Sequence, residues 1–120
     1  MIPPNFENIP AELTALPQWV CWRLETRNGK ATKVPYQANA ARARVDDPST
    51  WSDFATVVEA SGRFSFAGVG FVLTADDPFS GIDIDDCLNP ETGELDPIAA
   101  KIVAALPTYS EISPSGRGVR

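Results

Sequence analysis

Trp19-Val-Cys-Trp-Arg-Leu-Glu25, Thr26-Arg-Asn-Gly-Lys30 and Thr32-Lys-Val-Pro-Tyr36 follow one another without a break. The first run is rich in strand formers. The Asn28-Gly29 pair supplies a tight turn, and the last run returns as a second strand, so the stretch reads as an antiparallel hairpin. Pro35 has no N–H to give to a ladder, which places the returning strand at a sheet edge.

Working outward, residues 10–16 read as a short helix with Pro10 in its first turn and Pro17 as its stop. Asp47 to Ala60 is expected to be a helix with polar capping residues at its start, Trp51, Phe54, Val57 and Val58 on one face, and Ser61-Gly62 as its end. Ala67 to Thr74 and Gly81 to Asp85 read as two central strands joined by an Asp-Asp-Pro-Phe-Ser turn. Asn89 to Gly93 is a turn. Asp96 caps a helix that has Pro97 at its first position and runs to Leu106, and Tyr109 to Ile112 begins another strand. Trp19, Trp22, Trp51 and Phe54 sit at strand and helix spacing, which assigns them to the core rather than to base stacking. The order is an α/β mixture with antiparallel hairpins, free of repeats, linkers and low-complexity tracts.

A chain of 120 residues, 43% of them hydrophobic, is the size of one compact domain with a modest core. The sequence contains no histidine, which removes Ser-His-Asp and Cys-His triads and every histidine-based metal site. Cys21 and Cys87 lie far apart, so neither a disulfide framework nor a zinc site is offered, and a reducing, cytoplasmic setting is expected. The first residues lack a basic segment followed by an apolar one, and no window reaches the ~18 apolar residues of a membrane span. The net charge of −6 disfavours nucleic acid, but residues 1–45 carry six bases against three acids while the remainder carries thirteen acids against four bases.

Asp83 and Asp85 are two apart on an expected strand, so both leave one face while Ile82 and Ile84 point into a buried layer. Carboxylates with Cα atoms roughly 6.5–7 Å apart can converge on a pair of hard cations of the kind that stabilise phosphoryl transfer. The same pattern also describes acids that merely face water, and an Asp-x-Asp occurs in metal-dependent glycosyltransferases. An EF-hand loop is rejected because Cys87 and Leu88 stand at its fifth and sixth positions. Ser113-Pro-Ser-Gly-Arg-Gly118 offers backbone N–H groups, two hydroxyls and one positive charge to a phosphate chain, although a plain Ser/Gly turn has the same composition.

Six pieces in order, Trp19 to Arg23, Lys30 to Tyr36, Asp47 to Phe54, Val69 to Leu73, Gly81 to Cys87 and Ser113 to Gly118, resemble the primase–polymerase catalytic domain of phage and plasmid replication proteins, within the archaeo-eukaryotic primase superfamily. The resemblance spans nearly the whole chain. It implies a two-layer α+β sandwich in which a mainly antiparallel sheet, similar to an RNA-recognition fold, carries the metal site and helices pack behind. It makes residues 1–120 the N-terminal part of one catalytic domain, cut short before its end.

The resemblance further implies that Asp83 and Asp85 are catalytic ligands of two Mg²⁺ or Mn²⁺ ions. Ser115, Gly116, Arg117, Gly118 and Arg120, with Lys33, would contact the incoming NTP or dNTP, and Arg23, Arg42 and Arg44 the nucleic acid. Arg120 stands where the family has a histidine; it keeps a positive charge but cannot exchange a proton near neutral pH. The family's third acidic ligand would lie after Arg120, so the chain by itself is expected to be inactive. Implied partners are a single-stranded DNA template, nucleotides and a helicase domain in the parent protein, with no membrane. A non-catalytic nucleic-acid-binding module of a replication initiator is the alternative.

Overall fold

The computed structural model describes residues 5–120. The chain divides into two compact units, the first ending at Asp77 and the second comprising Pro78–Arg120. The fold is mixed α/β, with three helices and a three-stranded antiparallel sheet, matching the expected α+β class.

In the first unit, α1 (Ala11–Thr14) leads into β1 (Trp19–Arg27), which turns back as β2 (Lys30–Tyr36). The turn residues Asn28 and Gly29 adopt φ angles of 52° and 77°, a conformation that costs glycine nothing and asparagine little. After a 3₁₀ turn (Pro48–Thr50) come α2 (Phe54–Arg63) and β3 (Gly68–Phe71). The strand order is β2-β1-β3, which leaves β2 at an edge as Pro35 requires. β1 pairs with β2 from Cys21–Tyr36 to Arg27–Lys30, and with β3 only over Trp19 to Trp22.

Strand alternation gives the sheet two faces. On one, Trp19, Cys21, Val34 and Tyr36 pack with Val57 and Ala60 of α2 and with Phe66. Trp19 meets Phe54 and Phe71 edge-on at 4.8 and 5.3 Å, and its indole N–H donates to the Leu13 carbonyl at 3.1 Å. The other face carries a smaller cluster of Val20, Ala43 and Val72, with Trp51 against it. The four aromatics are thus structural, as their spacing indicates. Burial pushes the Cys21 thiol up to about 11, so it behaves as a packing group and not a nucleophile.

Three expectations are corrected. The helix expected from Asp47 begins only at Phe54. Asp47 caps the 3₁₀ turn, Ser52 exchanges two backbone hydrogen bonds with Trp19, and the helix cap is Asp53, which accepts from the Thr56 N–H at 2.8 Å. Of two capping aspartates the second wins, because Ser52 is committed to the sheet. The helix then runs through Ser61 and Gly62 to Arg63. Second, β3 is a four-residue edge strand, not a central one. Beyond it Asp77 gathers the Thr74 N–H and hydroxyl and the Gln18 side-chain amide, which turns the chain away.

Third, neither Gly81–Asp85 nor Tyr109–Ile112 forms a strand. Each is reduced to one bridge, Ile84 to Val119 and Ile112 to Val119, and Ile82 is 52% exposed instead of buried. Asp83 and Asp85, expected on the sheet, therefore lie outside the three-stranded sheet. The second unit is built from these bridges, a Leu88–Leu95 bridge and α3 (Pro97–Ala105). As expected, α3 has Pro97 at its first position and Asp96 as cap, accepting from Ala99 at 2.8 Å. Among the described residues no helix is long and apolar enough to cross a membrane.

Two measurements check this packing. A Cβ on Gly68 would lie 2.8 Å from the Trp22 indole nitrogen, whereas one on Gly62 in α2 would meet nothing within 4 Å. Gly68→Ala is expected to lower the unfolding free energy by about 1–3 kcal/mol through overpacking, and Gly62→Ala to raise it by up to about 1 kcal/mol by relieving helical glycine entropy; urea midpoints that move alike would contradict the packing. The Tyr36 hydroxyl above all, with the Arg42 and Arg27 guanidiniums, holds the Glu25 carboxyl below its ordinary value against an upward push from burial. A depressed folded pKa contributes stability above the unfolded value of about 4.3 that is lost as the pH falls through the folded one. The acid limb of the stability profile should therefore be shallower in Glu25→Gln than in the wild type.

Candidate functional site

Val119 holds the site together. Its N–H and C=O exchange hydrogen bonds with Ile84 at 3.0 and 2.8 Å, and it is also bridged to Ile112. Next to it, Glu111 and Arg120 exchange bonds at 2.6 and 2.9 Å, and Ser113 N–H donates to the Gly118 carbonyl at 2.9 Å. The two arms of the Glu111–Arg120 hairpin thus close over the Ser113–Gly118 turn, and the Asp83–Asp85 segment lies along its second arm. Antiparallel pairing about Ile84–Val119 sets Asp85 across from Gly118 and Asp83 across from Arg120. Both aspartates are exposed.

Gly118 makes this approach possible. It is buried, and a Cβ there would come within 2.8 Å of the Ile84 carbonyl oxygen, 2.9 Å of the Ser113 hydroxyl and 3.6 Å of the Asp85 Cα. The turn is tightened at Gly116, whose φ is 77° and whose N–H donates to the Ser113 carbonyl at 2.9 Å. Gly118 N–H donates to the Ser113 hydroxyl at 3.1 Å and Arg117 N–H to the Ser115 hydroxyl at 3.2 Å, while the two hydroxyls lie 2.9 Å apart. The serine oxygens so occupy the acceptor positions that phosphate oxygens would take in an anion-binding turn.

Arg120 is held by its neighbour across the hairpin. Its Nε lies 3.3 Å from Glu111 Oε1, and the Tyr109 hydroxyl donates to Glu111 Oε2 at 2.6 Å. Burial and this carboxylate push the Tyr109 hydroxyl well above its ordinary value, so it stays a proton donor to Glu111 at all physiological pH. Glu111 and Tyr109 escape a reading of the sequence because their relevance comes from a hairpin register that joins residues nine apart. Ser113 is recognisable as part of the serine–glycine segment, but its double role as acceptor and packing partner is not.

Asp83, Asp85, Ser115, Gly116, Arg117, Gly118 and Arg120 all belong to the second unit, and Lys33, Arg23, Arg42 and Arg44 to the first. Lys33 is exposed and places its Nζ 4.7 Å from the Trp22 ring centroid. Arg23 lies over the Phe66 and Tyr36 rings at 4.5 and 5.1 Å and donates to the Phe64 carbonyl at 3.2 Å. Arg42 pairs with Glu25 at 3.1 Å, and Arg44 binds both oxygens of Asp46 at 3.0 and 3.1 Å. The last pair holds the Asp46 carboxyl below its usual range, chiefly through the hydrogen bond.

Two exposed aspartates supply hard oxygen donors of the type that Mg²⁺ and Mn²⁺ take, and they leave positions open for water and phosphate. Among the described residues no third Asp, Glu or Cys joins them. The donor chemistry fits such an ion, and the ligand set on these residues is partial. An open hollow adjoining this turn shares Arg117 with it, as the one base among Asp86, Glu91, Glu94 and Asp96, and its acidic lining is unsuited to polyphosphate.

Gly118→Ala is expected to separate Ile84 from Val119, costing about 1–3 kcal/mol and accelerating amide exchange at both residues; protection equal to that of the wild type would show that the close approach is dispensable. No family model matches the chain. A curated relative, the DNA Primase-polymerase of Nitratiruptor phage NrS-1, is 37% identical over 114 residues, which is 92% of this chain and 15% of the phage protein. The chain therefore spans about 15% of the length of the curated relative it matches.

Proposed function

We propose that this chain takes part in template-directed nucleotidyl transfer as a portion of a DNA primase–polymerase. The observation that carries the reading is the Ile84–Val119 pairing, which lays Asp83 and Asp85 beside the Ser113–Gly118 turn and Arg120. The likeness to the phage protein supports it along most of this chain.

In this reading Asp83 and Asp85 bind Mg²⁺ or Mn²⁺, which supplies positive charge to the attacking and leaving oxygens of an in-line displacement. The Ser115–Gly118 turn receives the phosphate chain of a dNTP or NTP. Phosphate oxygens displace the serine hydroxyls from the Arg117 and Gly118 N–H groups, bonds of 3.2 and 3.1 Å that are longer than those to charged acceptors. Arg117 and Arg120 offset the charge of the triphosphate, with Glu111 fixing the direction of Arg120. Arg120 keeps its proton throughout, so its part is electrostatic and positional.

Two observations favour a second reading, a non-catalytic nucleic-acid-binding module: the Arg120 guanidinium, where the resemblance implies a histidine, is tied to Glu111, and among the described residues no third acid joins Asp83 and Asp85. Mn²⁺-dependent incorporation of labelled dNTP on a primed single-stranded template separates the two. The full-length protein is expected to incorporate, and its Asp83→Ala/Asp85→Ala variant to lose roughly 100-fold or more, the scale on which removal of a transition-state stabiliser is felt. Absence of incorporation by both, with DNA binding retained, would select the binding module.

A further inference from the structure

β3 supports β1 only as far as Trp22, so from Leu24 to Lys33 the hairpin continues as a two-stranded ribbon without a third strand. Its residues are exposed, apart from the half-buried Glu25 and Thr32. Arg27 and Lys30 are directly paired in register across the turn, which puts both on the same face, while Lys33, paired with Leu24, lies on the other. The ribbon's single carboxylate, Glu25, is engaged by the Tyr36 hydroxyl and the Arg42 guanidinium.

The three arginines expected to meet nucleic acid are already engaged: Arg23 by aromatic rings and a carbonyl, Arg42 by Glu25, Arg44 by Asp46. Arg27 and Lys30, by contrast, make no ion pair within 4 Å among the described residues, Arg27 acting on Glu25 only by longer-range attraction. In a chain of net charge −6 the tip of this ribbon is a local reversal of sign at its most solvent-accessible end. Two cations facing the same way on a narrow, exposed ribbon suit a polyanionic strand, whose affinity grows with each phosphate neutralised.

We propose that the Leu24–Lys33 ribbon is a nucleic-acid-binding arm that grips the phosphates of single-stranded DNA through Arg27 and Lys30. The choice of a single strand rests on the template-directed reading above; the arm itself rests on charge and geometry. It contacts backbone and not base edges, so its contribution is independent of sequence.

The test is fluorescence anisotropy of a labelled oligo-dT with the full-length protein over a series of salt concentrations, comparing wild type, Arg27→Gln/Lys30→Gln, and the charge-matched control Arg63→Gln/Lys101→Gln. Each phosphate contact on a single strand contributes about 0.7 to the log–log salt slope, so the arm variant should flatten the slope by about 1.4 and leave the thermal midpoint unchanged. An unchanged slope, or an equal loss in the control, overturns the arm while leaving the functional reading intact. A loss confined to a duplex probe overturns the single-strand assignment. A wild type that neither binds oligo-dT nor incorporates dNTP removes the functional reading, and the arm with it.

Discussion

The pair of hydrogen bonds between Ile84 and Val119 decides whether the two chemically interesting segments have anything to do with one another. Neither segment has a strand of its own to belong to, so a two-residue contact does what a sheet would otherwise do. That contact is possible only because residue 118 has no side chain; the space a Cβ would need is filled by a backbone oxygen and a serine hydroxyl. Gly116 has a different duty, a positive φ that bends the turn. The two glycines flanking Arg117 thus solve separate problems, one of conformation and one of clearance.

What could be read in the sequence was what is local. Asn28-Gly29 specifies its turn with two residues, and Pro35 reports an edge by lacking a donor. Asp96-Pro97 starts a helix because cap and first position are adjacent. The failures have one physical origin. Asp47 and Asp53 are both competent caps, and the choice between them is made by Trp19 binding Ser52 across more than thirty residues of chain. Likewise, Gly81 to Asp85 has strand composition, yet a ladder needs a neighbour, and the structure supplies one at a single position, Ile84. Alternation predicts one face for Asp83 and Asp85 and burial for Ile82, but the segment forms no strand and Ile82 is exposed.

Charge followed the same division. A count shows that bases gather in the first forty-five residues, but not which of them face solvent unengaged. Arg23 is the instructive residue. Its place on β1 opposite Val34 turns it toward the packed face, where the Phe66 and Tyr36 rings offer a guanidinium more favourable contact than water does. Two positions further along the alternation the packed face ends at Glu25, and Arg27 lies beyond it, exposed and acting on Glu25 only at longer range. Whether an arginine is structural or available is here a question of how far the sheet extends beneath it.

Arg120 is the point where composition and geometry meet. A chain without histidine has no side chain whose ordinary pKa lies near neutrality, so proton exchange near neutrality falls to carboxylates, solvent or nothing. What a guanidinium can do is hold a fixed positive charge in a fixed direction, and fixing that direction requires an anchor. Glu111 is that anchor, and Tyr109, kept protonated, occupies the carboxylate's other oxygen so that one remains for Arg120. The arrangement suits a site whose contribution is positioning and charge, the two things phosphoryl transfer asks of a protein when metal ions supply the remainder.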